Sequence, residues 1–296
     1  MVDTEILLDG LHFGEGPRHG PDGRLYFSDF YERVVFAIDL ATGERESICS
    51  VPGQPSGLGW LPDGRLLVVS MKDRTVRRLE PNGVLALHAD LFDIATFHTN
   101  DMLVDAKGRA YVGNFGFDLH KAIAENGEAA LLAPGYVPPG TPLALVEPDG
   151  TTSVVAEDMK FPNGTAMLSR QEGKPSTLIV AETLAFQLTA FDVAEDGTLS
   201  NRRVWAPLRE HLIAPDGICV DAEDGIWVAT ALQQAAVRVV EGGTITDRVE
   251  TSQICYAVGL VGTTLACFTA PTTQPEIVGV NHFGKLETAT VKIADR

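Results

Sequence analysis

The chain is poor in positive charge. Its 23 lysines and arginines face 40 aspartates and glutamates, a formal net charge of −17. A surface of that sign repels phosphate backbones, which argues against nucleic acid as a partner. Cysteine is scarce as well. Cys49, Cys219, Cys255 and Cys267 form no Cys-x-x-Cys pair, so zinc-ribbon and dithiol redox readings fall away. Three of the four lie in apolar runs, where a thiol behaves as a small apolar residue. No apolar stretch approaches the roughly 20 residues of a membrane span. The N-terminal Met-Val-Asp-Thr-Glu has acids where a signal peptide has bases. The expectation is a cytoplasmic protein with no membrane partner. A Gly-x-Ser-x-Gly elbow is missing, which argues against a serine hydrolase. Gly57-Leu-Gly59 lacks the rest of a dinucleotide fingerprint, and the histidines show no metal-ligand spacing.

Turn residues are plentiful, with 29 Gly and 17 Pro among 296 residues. Pro-Asp-Gly stands at 21–23, 62–64 and 148–150, Pro-Asn-Gly at 81–83 and Glu-Asp-Gly at 195–197. Gly supplies positive φ and Pro presets the bend, so these predict tight connections. Between them lie short runs rich in β-branched and aromatic residues: 25–28 with 34–39, 66–70 with 75–79, 110–113, 177–181 with 189–193, and 226–229 with 236–240. One unit recurs six times, near Glu15, Ser56, Asn100, Asn163, Asp216 and Val258, at steps of 41, 44, 63, 53 and 42 residues. A step near 40 to 50 with about four short strands predicts an all-β, six-bladed β-propeller. No linker composition divides 1–296, so a single domain is expected. The first strand, 5–9, is expected to complete the last blade and close the ring.

The repeat also aligns chemistry. Glu15, Asn100, Asn163 and Asp216 stand at the same place in their units, each just before a short apolar run. Taken singly, an Asn or Asp before Gly is most often a turn residue. Radial closure would instead bring all four to one axis. Two carboxylates and two amide oxygens are ligands for a hard cation.

These residues carry a family resemblance. Gly14-Glu-Gly-Pro17, Asn100-Asp…Asp105…Gly108-Arg109, Pro162-Asn-Gly164 and Pro215-Asp-Gly217 follow in the order of the senescence marker protein, regucalcin and gluconolactonase family, which the chain resembles over nearly its whole length. The resemblance implies one divalent cation in the central channel, held by Glu15, Asn163 and Asp216. It implies Ca²⁺ first, with Zn²⁺, Mn²⁺ and Mg²⁺ as alternatives. Asn100 would bind substrate beside it. The implied reaction is metal-assisted hydrolysis of a lactone, with Asp216 as candidate general base. Two readings compete: an ester or phosphotriester hydrolase on the same site, and a non-catalytic calcium-binding propeller. The fold alone does not choose among them.

One position departs from the family's sugar-lactone members. Two residues before Asn100, where they often carry an Arg, stands His98. A substrate less polar than a sugar lactone is therefore expected. The third unit also carries an insertion, about 115–142, with four prolines and several large apolar residues. Loops this long are usually functional or disordered. Its root after the second strand predicts a partial lid on the ligand face, with Phe115 and Phe117 nearest the substrate.

Overall fold

The computed structural model describes residues 2–168 and 175–295. Within them the chain forms six antiparallel blades of four strands each. Blade 1 spans 14–50, blade 2 spans 55–90, blade 3 spans 99–159, blade 4 spans 162–207 and blade 5 spans 215–250. Blade 6 takes three strands from the C-terminal end and its outermost strand, Glu5–Leu11, from the N-terminal end. That strand pairs with Gly284–Thr290 and closes the ring as the sequence predicts. A short parallel pairing of Val2–Asp3 with the edge of blade 5 adds a second tie.

The six-fold packing follows from where the apolar residues fall. The second strands, such as Leu25–Asp29, Leu66–Ser70 and Ile226–Thr230, are buried throughout, because each blade is covered on both faces by its neighbours. The core is accordingly a set of seams between blades. Tyr26, Val35, Leu58 and Val68 pack between blades 1 and 2, and Tyr111, Leu143, Leu178 and Val180 between blades 3 and 4. Phe27, Phe36 and Phe268 close the seam between blades 6 and 1. Fourth strands such as Arg45–Ser50 and Thr152–Met159 alternate or face outward and carry the charge.

The innermost strands begin at Gly14, Pro55, Thr99, Pro162, Pro215 and Ile254. In blades 2 to 5, pairing with the second strand skips two residues right after the strand begins, for example between Pro55 and Leu58 and between Pro215 and Ile218. In blade 1 the skip falls one residue later, directly after Glu15. The bulge re-aims the second residue of the strand in blades 2 to 5. The residue after it lies where the strands converge. A Cβ on Gly57 would stand 2.3 Å from the Met102 nitrogen, and one on Gly164 would stand 2.4 Å from the Ile218 nitrogen. Gly217 would meet Ala257 in the same way, which makes Tyr256 the sixth member of the ring. The sixth unit thus begins two residues before the Val258 expected from spacing. The shift arises because the other five carry a short amide, hydroxyl or carboxylate side chain there, whereas Tyr256 is a large aromatic.

Candidate metal and substrate site

The bulges bring Glu15, Asn100, Asn163 and Asp216 to the wall of one cavity of about 880 Å³, together with Tyr256. All four are nearly buried. Ser56, the ring member of blade 2, sits behind them. Its hydroxyl donates to Asn100 Oδ1 at 3.3 Å, and its carbonyl accepts from Ser28 at 2.7 Å. Thr183 accepts from the Asn163 amide nitrogen at 3.3 Å and donates to the Pro215 carbonyl at 2.8 Å. That arrangement leaves the Asn163 oxygen toward the other side of its amide.

The two carboxylates are electrostatically unbalanced. Burial pushes Asp216 up to about 8, Asp101 adds to the rise, and Asn163 pulls the other way. Burial also lifts Glu15 well above the carboxylate range, with Asp216 and Asp101 adding to it, against Gly16 and Arg18. Asp216 Oδ1 is buried without a hydrogen-bond partner, whereas Glu15 Oε2 accepts from the Gly16 N–H at 3.1 Å. Two buried acids that repel each other, one with an orphaned oxygen, are what a cation would compensate. The donor set is carboxylate and amide oxygen, which suits Ca²⁺ or another hard ion. Neither a histidine nor a cysteine is among these four side chains, which disfavours a zinc site built on nitrogen or sulfur.

Sequence reading missed one ion pair next to this site. Arg18, three residues after Glu15, reaches from blade 1 to Asp101 in blade 3 at 3.0 and 3.2 Å. The Asn-Asp dipeptide at 100–101 was legible, but its partner across the ring was not.

The walls above are largely apolar. Phe13, Phe30, Met71, Phe161 and Phe186 line the cavity, with Lys72, Asp118 and Glu128 as charged members, and among the described residues no arginine does. His98 lines it too, its ring stacked on Phe97 at 4.1 Å and edge-on to Phe115 at 6.2 Å. Burial, with Lys72 nearby, lowers its pKa, so it is neutral near pH 7. Phe115 lines the cavity and stacks on Phe161 at 4.7 Å. Phe117 does not line it, so the expected pair of phenylalanines reduces to one.

The insertion departs from blade 3 after Ala110–Asn114 and forms two short helices, α1 (Leu119–Asn126) and α2 (Glu128–Leu132). Asp118 caps α1 by accepting from the Lys121 N–H at 3.0 Å. Gly127, at φ 79°, separates the helices. Leu119, Ile123 and Leu131 face the cavity, and His120 meets the Thr273 carbonyl in blade 6 at 2.9 Å. Blades 3 and 6 are opposite in a six-membered ring, so this contact spans the mouth.

Comparison with known proteins agrees with this architecture. The profile of the family described as SMP-30/Gluconolactonase/LRE-like region matches residues 13–266. The diisopropyl-fluorophosphatase of Loligo vulgaris is 26% identical over 205 residues, covering 66% of this chain and 62% of its own length. The pentonolactonase XacC of Haloferax volcanii is 27% identical over 231 residues, covering 77% of this chain and 70% of its own. The structure of a calcium-binding protein, regucalcin, from Agrobacterium tumefaciens superposes with a TM-score of 0.76 at 20% identity, covering 100% of this chain and 96% of that one.

Proposed function

Because this chain belongs to the SMP-30/gluconolactonase/LRE-like family, we propose that it is a metal-dependent hydrolase that opens the ring of a small, rather apolar lactone. The observation that carries the reading is the pair Glu15 and Asp216, buried together in one cavity with raised pKa values and an unpaired Asp216 Oδ1. Glu15, Asn163 and Asp216, with Asn100 beside them, would hold one divalent cation, with Ca²⁺ favoured by the all-oxygen donor set. When bound, the cation polarises the ester carbonyl and stabilises the charge that develops on its oxygen.

The chain's own residues supply the rest. Asp216, a ligand within reach of the attacking water, is the group that accepts its proton. As the ring C–O bond breaks, that proton goes to the departing oxygen, leaving a hydroxy acid. Tyr256 keeps its phenolic proton, because burial and the nearby Asp216 raise its pKa, and can donate to a substrate oxygen. Asn100 supplies an amide donor from the same floor. The aromatic walls and the insertion over the mouth keep bulk water out, which strengthens each of these interactions. Neutral His98 and the aromatic walls favour substrates with few oxygens, with Lys72 the one cationic residue among the described residues that line the cavity.

Turnover of aliphatic, aryl and sugar lactones and of phosphotriesters, with and without chelator, tests this. We expect lactone opening that stops with chelator and returns with Ca²⁺, with alkyl or aryl lactones preferred to gluconolactone. Activity that survives complete metal removal would rule out the mechanism. Turnover of phosphotriesters alone would move the assignment to the chemistry named for the Loligo relative.

A further inference from the structure

The ring position just after the ligands is nearly empty of side chains. It holds Gly16, Gly57, Gly164 and Gly217, and Ala257 in blade 6. In blade 3 alone it holds a charged residue, Asp101, whose side chain is 3% exposed. A carboxylate there lies one residue from Asn100 and near enough to Glu15 and Asp216 to weaken the acidity of both. Asp101 is met from across the ring by Arg18. One guanidinium nitrogen contacts both Asp101 oxygens and also donates to the Met102 carbonyl at 2.7 Å, while the other donates to Pro17 at 2.9 Å. The Asp101 carboxylate also accepts the Met102 N–H at 2.7 Å. Arg18 Nε is buried without a partner. A guanidinium held this deep with an unsatisfied N–H costs stability. Its placement is explained if the charge itself is needed there.

We propose that Arg18 and Asp101 are positioning residues that set the charge of the cation site. Arg18 cancels the one carboxylate that would otherwise join Glu15 and Asp216. Once a cation has displaced the protons of Glu15 and Asp216, the floor presents two net negative charges and matches a divalent ion. Without Arg18 it presents three and favours a trivalent one. Without Asp101 it presents one, and cations are held weakly. This inference rests on the cation site proposed above, and it concerns how that site is tuned rather than which residues ligate.

The test is a double-mutant cycle read by calorimetric binding of Ca²⁺ and Tb³⁺ to the full chain, with no substrate present. Charges at this separation in a partly screened interior change affinity by roughly tenfold or more. Arg18→Met is expected to tighten Ca²⁺ binding by about that factor and Tb³⁺ binding further. Asp101→Asn is expected to weaken both. The double variant should return near wild type, and Arg18→Lys, which keeps the charge, should stay there. A pair that merely braces the channel predicts that both single variants weaken binding in step with lost melting temperature. That result would overturn the proposal. Should Asp101→Asn fail to fold, Arg18→Met against Arg18→Lys decides: tightening with Met alone supports the proposal, and unchanged or weaker binding refutes it. If wild type takes up neither ion while folded, the cation site itself is wrong and this inference falls with it.

Discussion

Pro62-Asp63-Gly64 and Pro215-Asp216-Gly217 are the same tripeptide in two regions of the molecule, and the two have opposite physics. At 62–64 the chain reverses between strands. Gly64 takes φ 86°, and Asp63, half exposed, accepts from the Arg65 N–H at 3.1 Å and from its guanidinium at 2.6 Å. Those hydrogen bonds to Arg65 lower the pKa of Asp63 below the ordinary carboxylate value. At 215–217 the chain runs straight into a strand. Pro215 starts it, where a missing N–H is tolerated. Gly217 serves close approach, since a Cβ there would lie 2.8 Å from the Ala257 Cα. Asp216 is buried and its acidity moves the other way. The asparagine versions repeat the contrast. Asn82 in Pro-Asn-Gly accepts from the Val84 N–H of a hairpin, while Asn163 in the same tripeptide faces the cavity. A tripeptide therefore names a local possibility, and the place in the repeat selects the outcome.

The sharpest way to break this comparison is to make one substitution at both sites. Asp216→Asn is expected to lower lactone turnover by about a thousandfold or more, as loss of a general base that is also a ligand should. It should also weaken cation uptake. The metal-free protein should stay folded, because the amide is neutral and close in shape to the protonated acid that occupies the metal-free site. A loss under tenfold would mean that Asp216 is a structural residue like Asp63.

The glycines should separate next. Gly217→Ala forces backbone against backbone and is expected to cost about 2–3 kcal/mol in denaturant unfolding. Gly64→Ala has open space around it and pays only for its positive φ, about 1 kcal/mol. Equal costs at the two positions would show that the channel can widen freely.

pH gives a smaller contrast of opposite sign. Asp216 stays protonated in the metal-free fold up to about 8, while the unfolded chain releases that proton near 4. Its contribution to stability is therefore complete at low pH and is lost as pH rises toward 8. Asp63, with a lowered value, contributes stability that is present above the unfolded value and lost as pH falls through the folded one. Melting curves of wild type minus Asp216→Asn, without metal, should show the first trend. Cation binding must displace the same proton, so affinity should rise over the same interval. A flat difference from pH 4 to 8 would show that Asp216 is ionised without a cation.

Much of this was legible in the residues because a repeat supplies its own register. Six recurrences gave the blade number, and the position of Glu15, Asn100, Asn163 and Asp216 within them gave the ring. The strand 5–9 was placed in the last blade because a propeller needs closure. What stayed hidden depends on contacts between distant parts. Tyr256 carries no oxygen-ligand signature, so only the packing of Gly217 against its blade shows that it completes the ring. Arg18 meets Asp101 across 83 residues of sequence, and no local pattern marks that pair. Phe117 lies two residues from Phe115, yet only Phe115 lines the cavity, a side-chain direction that composition does not encode.

The smallest effect is expected at Asp63→Asn, and it tests the comparison from the silent side. The chain already builds a hairpin with asparagine in this place: Asn82 Oδ1 accepts from Val84 at 3.1 Å, as Asp63 Oδ1 accepts from Arg65. The variant keeps that bond and loses only an exposed ion pair with Arg65, which solvent screens. Arg65 retains Glu80 as a partner at 3.2 Å. Turnover and cation affinity should match wild type, and the melting temperature should move little. The hairpin tip, 62–64, is exposed. A measurable fall in cation affinity would mean that the acidic rim, and not only the ring of oxygens at the axis, draws the ion into the channel.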